Sequence, residues 1–145
     1  MRARLTTTLF LRIAAVLTVL YALGHSSGYP WTPALGPDEA AMIQQMQTLR
    51  FEAEGASRTY WDFYVGFGVI ISAMMITLGV VLWQLGALAR QDTTRVRPIA
   101  ATIALSFVIN AVLSQLYFFA LPTMFAVAIV VTTVAAIALA GRTAS

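Results

Sequence analysis

A small set of polar side chains in this 145-residue sequence could do chemistry. His25 is the single histidine, and an imidazole can exchange protons near neutral pH. Asp62 could serve as its acid–base partner, with Arg50 or Arg58 holding an anionic group and Tyr60 and Trp61 supplying ring faces. Each has a plainer reading. His25 can be a loop histidine bonded to backbone. Asp62 can be an anion at a helix N-terminus, or an ion partner of Arg58 or Arg50. Asn110 lies deep in an apolar run. It is expected either to hydrogen-bond a neighbouring helix or to line the base of an outward-opening cavity. Gln115 lies higher on the same helix, near the mouth of such a cavity or exposed at the interface.

Composition removes several alternatives. Cysteine is absent, so thiolate catalysis and cysteine metal sites are excluded, and one histidine cannot build a histidine-rich metal site. No metal site and no cofactor is expected. The basic residues are all arginine and are scattered, without the stripe that holds phosphates, so nucleic acid is not an expected partner. The chain is 59% hydrophobic and 10% charged, against about 25% charge in an average soluble domain. So much apolar surface in one short chain requires lipid as part of its solvent.

Four apolar runs carry that surface, at about 5–24, 61–89, 98–120 and 122–141. The predicted fold is all-α: an integral membrane bundle of four transmembrane helices plus one short amphipathic extracytoplasmic helix, in a single domain covering 1–145. Arg12 interrupts the first run near its entry, where its long stem can carry the charge back to the headgroups. Arg2, Arg4, Arg12, Arg90, Arg95, Arg97 and Arg142 fall on one side of the four spans, with Asp92 as the lone acid there. The other side holds Arg50 and Arg58 with Asp38, Glu39, Glu52, Glu54 and Asp62. The positive-inside rule then places both termini in the cytoplasm of a bacterial inner membrane. A cleavable signal peptide is the rival for the first run; Arg12 within it and the lack of another soluble domain favour a retained helix.

The segment 25–58 is expected outside. Pro30, Pro33 and Pro37 keep its first part non-helical, and Tyr29 and Trp31 suit the interface. "GPDEAAMIQQMQTLRFE" reads as an amphipathic helix with Met42, Ile43, Met46 and Leu49 on one face, broken at Glu54–Ser57. Ser72, Gly79 and Gly86 recur every seven residues, which suits close helix packing. Thr102, Ser106, Asn110 and Ser114 recur every four and are expected to face the bundle. Ala128, Thr132, Ala136 and Ala140 form a second stripe of that spacing. Aromatic residues crowd the outer half, with Phe10 and Trp83 toward the cytoplasm. That bias suggests a packed aromatic lid at the outer end, around a lipid-like molecule.

"GHSSGYPWTPALGP" and "SRTYWDFYVGFGVIISAMMITLGVVLWQLG" together resemble a family of small uncharacterised bacterial membrane proteins with four predicted helices. The resemblance is strongest from His25 to Gly86. It supports the topology, draws attention to His25, Trp31, Tyr60, Trp61, Asp62, Phe63 and Gly66, and implies no activity. The leading expectation is a structural or accessory membrane protein that contacts lipid, another membrane subunit or a second copy of itself. A small membrane enzyme acting on a lipid or isoprenoid-like substrate is the alternative. A transporter component comes third, because the apolar runs hold no carboxylate in their interior.

Overall fold

A computed structural model describes residues 2–28 and 30–141, with Arg2 and Ala3 described in backbone only. Tyr29 and Arg142, and the Arg2 side chain, lie outside the described residues. The elements run α1 (Arg2–Gly28), α2 (Pro37–Thr48), β1 (Arg50–Ala53), β2 (Ala56–Thr59), α3 (Tyr60–Leu88), α4 (Thr93–Tyr117) and α5 (Ala120–Gly141). The chain is mostly helical, and α1, α3, α4 and α5 are each long and apolar enough to cross a membrane. Two compact units divide it. One combines α1 up to Tyr21 with the chain from Met75 onward; the other is Ala22–Met74.

The first unit is built on alternating spacings of three and four. α5 buries Ala126, Ile129, Thr133, Ala136 and Ala140, and α4 buries Val96, Ala100, Ile103 and Phe107. Such spacing keeps a face in place, whereas steps of four creep round a 3.6-residue helix by about 40° each. That drift corrects the predicted stripe on α4, while on α5 Ala136 and Ala140 are buried and Ala128 and Thr132 half-buried, as a packing stripe requires. Thr102 and Ser106 are exposed, and of their stripe only Asn110 and Ser114 turn inward. Their hydroxyls are satisfied at home, Thr102 donating to the Pro98 carbonyl at 3.1 Å and Ser106 to that of Ile103 at 2.7 Å. On α5, Thr132 likewise donates to the Ala128 and Ile129 carbonyls.

The glycine spacing on α3 does mark a contact. A β-carbon at Gly79 would stand 2.8 Å from Val19 Cγ2 and 3.3 Å from the Ala15 carbonyl oxygen. One at Gly86 would stand 3.3 Å from Arg12 Cγ and 3.4 Å from the Thr8 carbonyl oxygen. Small residues that let two helix backbones approach this closely add packing energy between them. The opposite faces carry exposed Leu9, Val16 and Leu20 on α1, Leu105 and Val112 on α4, and Val127 and Val131 on α5.

α4 starts at Thr93, ahead of the predicted 98, because Asp92 caps it. Its carboxylate accepts from the amides of Thr94 at 2.9 Å and Arg95 at 3.2 Å. Pro98 therefore lies inside α4. A two-residue joint, Phe118 and Phe119, separates α4 from α5.

In the second unit, α1 runs on to Gly28, so His25 and Ser26 are helical rather than in the predicted loop. α2 ends at Thr48, short of the predicted Glu52. Its first turn gathers Asp38 and Glu39, and Glu39 reaches back to accept from the Leu35 amide at 2.5 Å. Among its residues none is buried; Ile43 and Met46 are half-covered and Met42 is exposed. The all-α prediction needs one correction here, because Arg50–Thr59 is a β-hairpin. It pairs Arg50 with Thr59, Phe51 with Arg58, Glu52 with Ser57 and Ala53 with Ala56. Glu54 at φ 49° and Gly55 at φ 81° make the two-residue turn. Positive φ at both central positions is the geometry that fits the twist of a tight hairpin.

Candidate functional site

The residues nominated for chemistry fall into separate clusters. Asp62 belongs to the start of α3. Its Oδ2 accepts from the Thr59 amide at 2.8 Å, while its own amide donates to Thr59 Oγ1 at 3.0 Å. This reciprocal exchange is a capping box, which satisfies two backbone donors that the first turn of a helix cannot satisfy itself. Asp62 is thus the helix N-terminal anion of the plainer reading. Arg58 donates from Nη1 to the Ser57 carbonyl at 2.8 Å, and Arg50 and Arg58 are both exposed.

His25 sits elsewhere. Its Nδ1 is 3.0 Å from Ser72 Oγ, which accepts from Ser26 Oγ at 2.8 Å and donates to the Gly68 carbonyl at 3.1 Å. A hydroxyl has one proton and two lone pairs. With its proton on Gly68 and one lone pair taken by Ser26, Ser72 can meet His25 only as an acceptor. In that arrangement Nδ1 is the donor, and the opposite tautomer would require Ser72 to give up its bond to Gly68. A serine activated as a nucleophile needs the reverse, with its proton on the imidazole. Ser72 is ten residues from Asp62 along α3, a rise of about 15 Å, so the His25 cluster and the Asp62 cap do not share a reacting centre.

Asn110 forms a third cluster, in the first unit. Tyr21 donates its hydroxyl to Asn110 Oδ1 at 3.3 Å, and Ser114 donates to the same oxygen at 3.5 Å. The Tyr21 ring stacks on Phe125 with centroids 5.4 Å apart and planes 11° apart. A buried tyrosine joining an apolar stack to a polar acceptor is a cross-helix tie from α1 to α4. Gln115 is exposed.

Within the second unit, the described aromatic rings make short chains of contact. Phe51 of β1 packs against Tyr60 at 5.2 Å and edge-on to Phe63 at 5.0 Å, and Phe63 packs edge-on to Phe67 at 5.6 Å. Trp61 pairs with Tyr64 at 5.5 Å. Yet Tyr60, Phe63, Tyr64 and Phe67 all remain exposed, as do Trp31, Tyr117, Phe118 and Phe119. Phe51 is the residue that sequence reasoning missed. The signal for it was "EG" at Glu54–Gly55, a turn pair between two short runs of alternating residues.

Arg12 is the other omission. Its guanidinium lies over Trp83, 4.5 Å from the ring centroid, beside the notch left by Gly86. Sequence reasoning did not foresee this cation–π contact. An open apolar groove between α3 and α4, about 340 Å³ in volume, is lined by Leu78, Val81, Pro98, Ile99, Thr102 and Ile103. It carries a single hydroxyl group. Among the described residues no three of His, Cys, Asp and Glu gather in a way that could hold a metal ion.

No protein-family model matches this chain, and no curated protein or solved structure matches it.

Proposed function

We propose that this chain is a structural or accessory multi-pass protein of a bacterial inner membrane, in contact with lipid and with another membrane subunit or a second copy of itself. One observation carries the reading. The polar groups best suited to chemistry serve the fold: Asp62 in a helix cap, His25 on Ser72, Asn110 between Tyr21 and Ser114. The outside of the long helices carries many exposed large apolar side chains, with a few polar ones such as Thr102 and Ser106 bonded to their own helix. Both termini lie in the cytoplasm in this reading, on the strength of the arginine excess at 2–12, 90–97 and 142. The hairpin and α2 then lie outside, with exposed Trp31, Tyr60 and Tyr64 in the interface. The resemblance of the stretch from His25 to Gly86 to small four-helix bacterial membrane proteins points the same way.

The alternative, an enzyme acting on a lipid or isoprenoid-like substrate, rests on His25, whose partner Ser72 is ten residues along α3 from Asp62. A transporter role has less behind it, because no carboxylate lies in the middle of the long helices.

Alkaline extraction of membranes and reporter fusions at each end test the proposal together. The chain should stay in the membrane pellet and both fusions should report a cytoplasmic end. Release by alkali defeats the membrane reading; an external C-terminus defeats the orientation.

A further inference from the structure

Arg12 is placed well inside an apolar helix, with exposed Leu9, Ile13 and Val16 around it. A cation there calls for a counter-charge. Among the described residues of its unit the one acid, Asp92, caps α4 and pairs with Arg95 at 3.0 Å. Arg12 Nε is buried without a hydrogen-bond partner, and so is Thr8 Oγ1 one turn away, on a residue 3% exposed. The stem lies in the Gly86 notch, and Trp83 supports one face of the guanidinium. Arg12 as a whole is only half-buried, so its terminal nitrogens are the part left to the surface.

The depth is that of a headgroup boundary. Arg12 is sixteen residues from the end of α1 at Gly28, about 24 Å, and Trp83 is about 8 Å from the end of α3 at Leu88. Against a hydrocarbon core of about 30 Å, both fall close to the boundary at the end where Arg4 and Arg90 are also exposed.

We propose that Arg12 and Trp83 form a binding site for the phosphate of an anionic phospholipid, whose acyl chains lie along exposed Leu9, Val16 and Val80. The planar guanidinium offers a fork of donors that matches two phosphate oxygens. Trp83 fixes the plane of that fork. Arg4 and Arg90 oppose a cationic choline head and so favour a lipid with net negative charge. This inference deepens the membrane reading above and rests on it.

The test is native mass spectrometry of the detergent-purified full chain with added phosphatidylglycerol or phosphatidylcholine. A separate arm adds inorganic phosphate as a competitor. The wild type should retain phosphatidylglycerol in preference to phosphatidylcholine. Arg12→Gln should cut that preference about fivefold, the factor corresponding to about 1 kcal/mol for an arginine near a charged surface. Trp83→Leu should cut it as well and keeps the inference testable if Arg12→Gln does not fold. Arg58→Gln, in the other unit, should leave it unchanged. Preference intact in both Arg12→Gln and Trp83→Leu overturns the proposal. So does displacement of the lipid by millimolar phosphate, which would assign the site to a soluble anion. Alkaline extraction separates the two failures: a chain retained in membranes but indifferent to headgroup defeats this inference alone, and a chain released by alkali defeats the membrane reading itself.

Discussion

Thr59 and Asp62 exchange two hydrogen bonds across the first turn of α3, at 2.8 and 3.0 Å, and so join the end of the hairpin to the start of the helix. Thr59 is also the strand partner of Arg50. Thr59→Ala should therefore cost about 1 kcal/mol and loosen the hairpin together with the first turn of α3. Asp62→Asn should cost less, because an amide oxygen still accepts. Hydrogen exchange in detergent checks both, with the amides at the start of α3 exchanging faster in Thr59→Ala. Equal exchange in the alanine variant and the wild type would remove the cap from the account.

Gly79 has no room for a side chain. The nearest atom is a methyl group of Val19, a β-branched residue with little rotamer freedom, and the next is a backbone oxygen. Gly79→Leu should destabilise the packing of α1 on α3 by about 1–3 kcal/mol, seen as a lower midpoint for thermal unfolding in detergent. Gly66, which has nothing within 4 Å of a built β-carbon, is the control; Gly66→Ala should leave the midpoint in place.

Glu54 holds a left-handed backbone with no glycine to ease it. Glu54→Gly should relieve about 1 kcal/mol of strain, and Glu54→Asn part of it. Gly55→Val should open the hairpin and withdraw Phe51 from Tyr60 and Phe63. Carbon shifts of residues 50–59 report the change, moving toward random-coil values in Gly55→Val alone.

The hydrogen bonding around Ser72 sets the His25 tautomer. Nitrogen spectra of labelled wild-type protein should show a proton on Nδ1. Ser72→Ala removes that acceptor and should change the tautomer balance. A wild-type spectrum with the proton on Nε2 would reverse the inferred direction of the bond and reopen the case for an activated serine.

The long helices were legible because predominantly apolar runs of about 20 residues admit few other structures. The glycine contacts were legible for a related reason: Gly79 and Gly86, seven apart, stay on one face. The polar stripe on α4 misled because Thr102 and Ser106 can bond to their own helix, so polarity there does not fix a direction. The hairpin was hidden by composition. Arg50–Thr59 is short and mostly polar, and its pairing is set by a turn whose first residue is glutamate rather than asparagine or aspartate. Asp62 was legible as a helix-start anion, but its partner Thr59 was not, because the predicted helix began too late to include a cap. His25 was visible as a candidate; its serine partner lies 47 residues away, and nothing local announces it.

The two-residue joint between α4 and α5 has a consequence for biosynthesis. Phe118 and Phe119 leave little length for α4 and α5 to part, so in the proposed membrane reading the two helices would enter the bilayer side by side. A ribosome that has released α4 has not yet released the Ala126–Ile129–Thr133 face that α4 must meet. On the membrane reading proposed above, α4 would stay at the insertion site until α5 emerges, and the pair would enter lipid together. Chains stopped just after Tyr117 should remain crosslinked to the insertion machinery, and chains extended past Gly141 should leave it.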